Sequence, residues 1–155
     1  MKFRVRCIVA LAAALAVPAM AHAQVNPLAR AIDPASLNGT WNGANLERRS
    51  NCSAAQNNGS RGTYAQYDVA VDRQGGMFID ETTITGLHCT YAGTYRQNGL
   101  PLSWSGSYSC TDGKRGTFQS QSILVTPHEI SLRLSITLDT SETCDVDAIL
   151  GGSRL

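Results

Sequence analysis

The stretch ISLRLSITL, residues 130–138, alternates apolar and polar side chains without interruption. Successive side chains of a strand point to opposite faces, so this pattern predicts a strand with one buried and one exposed face. The same alternation recurs in LSWSGSYSC, residues 102–110, and in LHCTYAGTYRQ, residues 87–97. Because helical periodicity is almost missing from the chain, the sequence predicts an all-β protein.

Turn-forming residues separate these stretches at short intervals, as in Gln74-Gly75-Gly76, Asn98-Gly99 and Asp112-Gly113. The links are too short for parallel crossovers, so we predict an antiparallel up-and-down meander of about eight strands. An open meander would leave two unpaired edges, and closure into a barrel removes both. The predicted strands span roughly residues 38–45, 64–73, 76–84, 87–97, 100–110, 115–126, 129–138 and 142–151.

Composition limits the class of protein. The chain has 155 residues, of which 43% are hydrophobic and 16% charged, and its formal net charge is +1. These values are typical of one ordinary globular domain. A charge so close to zero gives no electrostatic footprint for nucleic acid, so we expect no nucleic-acid partner.

The N-terminus has the pattern of an export signal. Lys2, Arg4 and Arg6 precede an apolar run over residues 8–17, and Ala21-His22-Ala23 places small residues at the cleavage-determining positions. This arrangement predicts a secretory signal peptide over residues 1–23, cleaved after Ala23. The apolar run is too short to span a bilayer, so we expect no membrane span and a periplasmic or secreted protein.

Two further segments lack strand periodicity. Residues 24–37 hold prolines without a pattern, and residues 50–62 are rich in Ser, Asn, Gln and Gly. We interpret the first as an N-terminal arm and the second as a long loop, which either carry function or serve as a tether and a solvated connection. A single barrel domain is expected over residues 38–155.

The cysteines outside the signal segment are Cys52, Cys89, Cys110 and Cys144. An even number in an oxidising compartment favours two disulfides. A zinc site is the alternative, but the four cysteines contain no CxxC pair.

Cys89 and Cys110 lie at nearly equal distances from the Asn98-Gly99 turn, within the slack of a bulged hairpin, so we predict that they pair across strands. Cys52 follows the first strand and Cys144 begins the last. A bridge between them requires those strands to be neighbours, as barrel closure makes them.

Gly39-Thr40-Trp41 stands at the start of the first predicted strand. A Gly-x-Trp that opens a signal-bearing meander of eight strands resembles the calycin barrels, which include lipocalins, avidins and bacterial metalloprotease inhibitors. The resemblance implies that Trp41 plugs one end of the barrel beneath a basic residue of the last strand, for which Arg154 is the candidate. The Trp-rich pattern of the avidins is missing, so the ligands of these families do not carry over.

A group of aromatic side chains is predicted on the inward face of two paired strands. Gly93 and Gly106 lie between the rings and open space there. The rings either line a ligand cavity or fill an ordinary core. The candidate ligand-lining residues are Tyr91, Tyr95, Trp104 and Tyr108.

No set of catalytic groups converges in the sequence. Trp104-Ser105-Gly106 lacks the leading glycine and the strand-to-helix context of a hydrolase nucleophile elbow. We therefore assign no catalytic, cofactor-binding or metal-binding residue, and we expect a non-enzymatic exported binding protein that holds a small apolar ligand. The alternative is a protein-binding module such as a periplasmic protease inhibitor, which would reach its partner with the arm or the long loop. A hydrolase is the third possibility.

Overall fold

The computed structural model describes residues 32–97 and 102–155. The predicted signal peptide and the Asn98-Gly99 turn lie outside the described residues. Within these ranges no helix has the length and apolar character needed to cross a membrane.

Eight antiparallel strands form a closed barrel in which each strand pairs with its neighbours in sequence and the last pairs with the first. The prediction of an all-β up-and-down barrel is confirmed. The strands are β1 Gly39–Ser50, β2 Gly59–Val71, β3 Gly76–Thr83, β4 His88–Gln97, β5 Leu102–Cys110, β6 Arg115–Val125, β7 Glu129–Leu138 and β8 Asp145–Arg154.

The predicted boundaries differ from the structure by three residues or more at the end of β1, the start of β2 and both ends of β8. β1 continues to Ser50 and β2 begins at Gly59, so the predicted long loop 50–62 is shorter and includes the 3-10 helix Ala55–Asn57. β8 extends to Arg154, three residues beyond the predicted end, because its last residues still pair with the start of β1. Apolar periodicity covers only part of β1, β2 and β8, whereas backbone pairing continues beyond it.

Glycines let the backbones of neighbouring strands approach each other closely. Gly93 and Gly106 face each other across β4 and β5. A Cβ added to Gly93 would lie 2.2 Å from the carbonyl oxygen of Ser105, a distance that no side chain tolerates. The backbone therefore occupies the space that these glycines were expected to open inside the barrel.

One end of the barrel, which we call the capped end, is closed by the 3-10 helix Pro34–Leu37. Leu37 and Trp41 are fully buried there, and the Trp41 indole Nε1 donates a hydrogen bond to the Leu37 carbonyl oxygen at 3.0 Å. The last residues of the predicted N-terminal arm therefore belong to the core. Leu37 lies two residues before the start of β1, so its apolar side chain is placed at the end of the barrel interior.

Arg154 covers the same end. Its guanidinium carbon lies 4.0 Å from the centre of the Trp41 ring. The guanidinium also donates to the carbonyl oxygens of Asn38 at 2.7 Å and Pro127 at 3.1 Å. One side chain thus holds the start of β1, the turn before β7 and the end of β8 together.

Both disulfides lie towards the opposite end, which we call the disulfide end. Cys89 pairs with Cys110 across β4 and β5, and Cys52 pairs with Cys144 beside the neighbouring strands β1 and β8. The predicted connectivity is confirmed. Two disulfides are typical of proteins from an oxidising compartment.

The core consists of the inward-facing residues of all eight strands together with Leu37 of the 3-10 helix. Towards the capped end they are apolar, and their packing excludes water from that part of the barrel. This part includes Leu37, Trp41, Val69, Met77, Ile79, Trp104, Phe118, Leu132, Leu134 and Leu150, each no more than 5% exposed.

Candidate functional site

The predicted ligand-lining residues do not all meet. Tyr91, Trp104 and Tyr108 lie inside the barrel, together with Phe118, which the sequence analysis did not single out. Tyr95 is only half-buried, and its hydroxyl donates to the carbonyl oxygen of Asp72 in the turn between β2 and β3. Tyr95 therefore belongs to the rim of the capped end rather than to the internal cluster.

Trp104 is packed tightly within this cluster. Its ring centre lies 4.1 Å from that of Phe118, and its indole Nε1 donates to the Met77 carbonyl oxygen at 3.2 Å. The ring is 1% exposed. These contacts are those of a core residue, so Trp104 supports the fold at this position.

Tyr91 connects the apolar part of the barrel to a polar cluster. Its ring is stacked on Tyr108, with centres 5.6 Å apart and planes inclined by 21°. Its hydroxyl donates to Oε2 of Glu81 at 3.1 Å, and Asn45 Nδ2 donates to Oε1 of the same carboxylate at 2.8 Å. The residues Asn45, Tyr67, Glu81 and Tyr91 form what we call the interior polar cluster.

Glu81 is fully buried, although glutamate is rarely buried in proteins unless it is paired. It faces inward because β3 alternates Met77, Ile79, Glu81 and Thr83 on its buried face. Its backbone neighbours across the sheet are Tyr67 on β2 and Cys89 on β4. The strand pairing thus holds the carboxylate between a phenol and a disulfide.

The electrostatics of the cluster follow from this burial. Burial raises the pKa of Glu81 above its ordinary value, the hydrogen bonds from Asn45 and Tyr91 lower it in part, and the charge of Glu47 raises it further. Burial, followed by the charge of Glu81, also raises the pKa of the Tyr67 and Tyr91 phenols. Both phenols are therefore neutral hydrogen-bonding groups at neutral pH.

Two polar atoms of the cluster are buried without a hydrogen-bond partner among the described residues, the Asn45 Oδ1 and the Tyr67 hydroxyl. Tyr67 is 2% exposed. A buried polar group without a partner costs about 1–3 kcal/mol, so these two atoms mark a place where a bound polar group would be stabilising.

The inward-facing residues of β1 remain polar from Asn45 to the disulfide end. Beyond Asn45 they include Glu47 and Arg49, which form an ion pair with Arg49 Nε 2.5 Å from Glu47 Oε1. Arg49 is 8% exposed, and its guanidinium lies 3.9 Å from the carboxylate of Glu142, which precedes β8. Asn45 and Glu47 are half-buried, so solvent reaches the edge of the cluster from this end.

A cleft of about 530 Å³ opens at the disulfide end between β5, β6 and β7. Its volume falls within the range of small-molecule sites. Tyr108 lies in the wall of this cleft and stacks on Tyr91, whose hydroxyl donates to the buried Glu81, so two rings connect the cleft wall to the carboxylate. The cleft is lined by Ser107, Tyr108, Ser109, Arg115, Gly116, Thr117, Thr137, Leu138 and Asp139.

Three residues with potential metal-ligating atoms also lie close together at this end. Cys52, Glu142 and Cys144 bring potential ligand atoms within 4.8 Å of one another. Both sulfurs are joined in a disulfide, however, and only a free thiolate ligates a metal strongly. This group is therefore a structural bridge beside a carboxylate.

The sequence analysis missed Asn45, Tyr67 and Glu81. The available signal was the two-residue periodicity of β3, which places Glu81 on the same face as Met77 and Ile79. Because Asp80 and Glu81 are adjacent in β3, this periodicity requires one of the two carboxylates to point inward.

Comparison with known proteins gives little further information. No protein-family model and no curated protein matches this chain. A solved structure that resembles it is a de novo designed fluorescence-activating β-barrel, with 13% sequence identity and a TM-score of 0.48 over 80% of this chain and 99% of the other.

Proposed function

We propose that this chain is an exported, non-enzymatic binding protein that holds a small molecule at the disulfide end of its barrel. The observation that carries the proposal is a chain of contacting side chains, in which Tyr108 lines the cleft and stacks on Tyr91, and the Tyr91 hydroxyl donates to Glu81. This chain combines apolar ring surface with a few polar groups, which is the composition of small-molecule sites.

The division of the interior supports this location. The capped end is filled by packed apolar side chains, which favours a structural role for Trp41 and Trp104. The disulfide end contains the buried atoms without partners and the half-buried side chains of β1. The ligand proposed here differs from the purely apolar one that the sequence favours, because it must also satisfy polar atoms.

A non-enzymatic role is favoured by the partners of Glu81. Its two recorded hydrogen bonds come from Asn45 and Tyr91, and among the described residues neither a histidine nor a serine hydroxyl bonds to it. A nucleophile with an oriented base is the usual signature of covalent catalysis, and the described contacts of this cluster do not form one.

Export to the periplasm or the medium is supported by the signal-like N-terminus and the two disulfides. The calycin resemblance supports the same type of protein, because that group includes secreted barrels that bind ligands. Arg154 above Trp41 gives the capped end the arrangement that the resemblance implies.

Native mass spectrometry of the protein purified from its own host tests the proposal. We expect a retained small molecule that is lost in Tyr108→Ala and kept in Tyr64→Ala, since Tyr64 is 69% exposed on the outer surface. Retention of the molecule by both variants would move the site away from the cleft. No retained mass, together with no stabilisation by any compound of a small-molecule library, would refute the binding role.

A protein-binding module is the second candidate, favoured by a strip of exposed apolar side chains on the outer surface. Leu46 pairs with Ile149 across β1 and β8, and the Ile84 amide donates to the Tyr64 carbonyl oxygen beside β2. These four side chains are 39–75% exposed. A stoichiometric protein partner that is retained by the wild type and released by Tyr64→Ser would support this candidate.

A further inference from the structure

Negative charge exceeds positive charge around the interior polar cluster. Arg49 is shared between Glu47 and Glu142, so its charge is already balanced. Arg61 lies opposite Glu47 in the strand register, but it is exposed to solvent. No described lysine, arginine or histidine forms an ion pair with Glu81, whose contacts are the neutral groups of Asn45 and Tyr91.

The spare hydrogen-bonding capacity of the cluster consists mainly of acceptors. A carboxylate offers about four lone-pair positions, and the recorded bonds to Glu81 use two. The Asn45 Oδ1 is a further free acceptor, and the Tyr67 hydroxyl can accept as well as donate. A group with several N–H donors and a positive charge complements these atoms best.

Two aromatic rings adjoin these acceptors, since the Tyr91 hydroxyl donates to Glu81. Tyr91 and Tyr108 are stacked between the cleft and the carboxylate. The face of an aromatic ring attracts a cation, and the stacked pair also offers flat apolar surface to an uncharged body.

We propose that the interior polar cluster binds the protonated amine of a small ligand whose apolar body lies against Tyr91 and Tyr108. This inference rests on the function proposed above and specifies the chemical class of the ligand. The ammonium group donates to the Glu81 carboxylate and to Asn45 Oδ1, with the Tyr67 hydroxyl as a third partner. The apolar body extends along the rings towards the cleft.

The binding of an amine is linked to the protonation of Glu81. A protonated carboxyl has to release its proton before it pairs with an ammonium group, so affinity rises as pH rises through the raised pKa of Glu81. At pH values where Glu81 is protonated in the free protein, binding therefore releases its proton. The other titratable or charged side chains around the site are Glu47 and Arg49 on β1, Arg61 and Tyr67 on β2, Tyr91 on β4, Tyr108 on β5 and Glu142 before β8.

The test compares two probes of similar shape, phenethylamine and 2-phenylethanol, by calorimetric titration of the wild type, Glu81→Gln and Glu47→Gln. We expect the wild type to bind the amine about 10-fold or more tightly, the factor expected for one charge-assisted hydrogen bond. Glu81→Gln should abolish this preference. Glu47→Gln, which removes a carboxylate already paired with Arg49, should keep most of it.

Unfolding curves first establish that both variants are folded, so that differences in affinity report on the site. Equal affinity of the wild type for the two probes would overturn the assignment of an amine while leaving the binding role intact. A preference that survives in Glu81→Gln would also overturn it. No binding of either probe at millimolar concentration, together with no retained molecule in the native spectrum, would refute the amine site and the proposed function together.

Discussion

Replacement of Trp104 by alanine should lower the free energy of unfolding by nearly as much as replacement of Trp41 does. Trp104 is 1% exposed, its ring centre lies 4.1 Å from that of Phe118, and it donates a hydrogen bond to the Met77 carbonyl oxygen. A buried tryptophan removes roughly 150–250 Å² from water, which at about 25 cal/mol per Å² corresponds to about 4–6 kcal/mol. Alanine retains part of that burial, so we expect a loss of about 3–5 kcal/mol in the free energy of unfolding.

Urea unfolding followed by circular dichroism measures this loss. Trp104→Phe keeps a ring against Phe118 but removes the indole donor, so it should lose about 1–2 kcal/mol. Tyr64→Ala removes an exposed ring and should change stability by less than about 0.5 kcal/mol. A loss for Trp104→Ala below about 1 kcal/mol would mean that this ring faces a void, and the reasoning that places the ligand at the disulfide end would fail.

Three further outcomes follow from the ends of the barrel and its interior. Arg154→Ala removes hydrogen bonds to backbone carbonyls and the contact with a buried ring, so urea unfolding should show a loss of about 2–3 kcal/mol. Cys52→Ser combined with Cys144→Ser opens a loop of 92 residues and should lower the free energy of unfolding by about 4–5 kcal/mol, while the Cys89–Cys110 bridge stays intact in non-reducing peptide maps. The wild type should lose stability relative to Glu81→Gln as pH rises above the ordinary glutamate pKa of 4.5, because only the unfolded carboxyl ionises there; parallel stability curves from pH 4 to 8 would contradict this.

The strand faces, the meander and the Cys89–Cys110 disulfide were predictable because they rest on local rules, and the Cys52–Cys144 disulfide was predictable once the barrel was taken to close. Two-residue periodicity fixes which side of a strand faces inward, and short turns exclude parallel connections. The pairing of Cys89 with Cys110 then follows from their spacing around one turn, and that of Cys52 with Cys144 follows from closure. Each step used only information within a strand, across one hairpin or between the chain ends.

The end of β1 was not predictable by the same rules. The inward positions beyond Gly43 are Asn45, Glu47 and Arg49, so the strand loses its apolar face where the barrel interior becomes polar. The start of β2, over residues 59–63, has no apolar residue at all. Apolar alternation detects a strand only where the core it faces is apolar, which is why the predicted loop 50–62 was too long.

The same limit explains why the polar cluster was missed and why it bears on function. A core built only for stability would place an apolar residue at the position of Glu81, because replacing a buried charge by a well-packed apolar group is often neutral or stabilising. The position instead carries a fully buried carboxylate with two neutral donors, beside a phenol and an amide oxygen that lack partners among the described residues. Departures from local consistency of this kind are concentrated at functional sites. The failure of the apolar pattern along β1 and β3 therefore points to the same end of the barrel as the cleft does, by an independent observation.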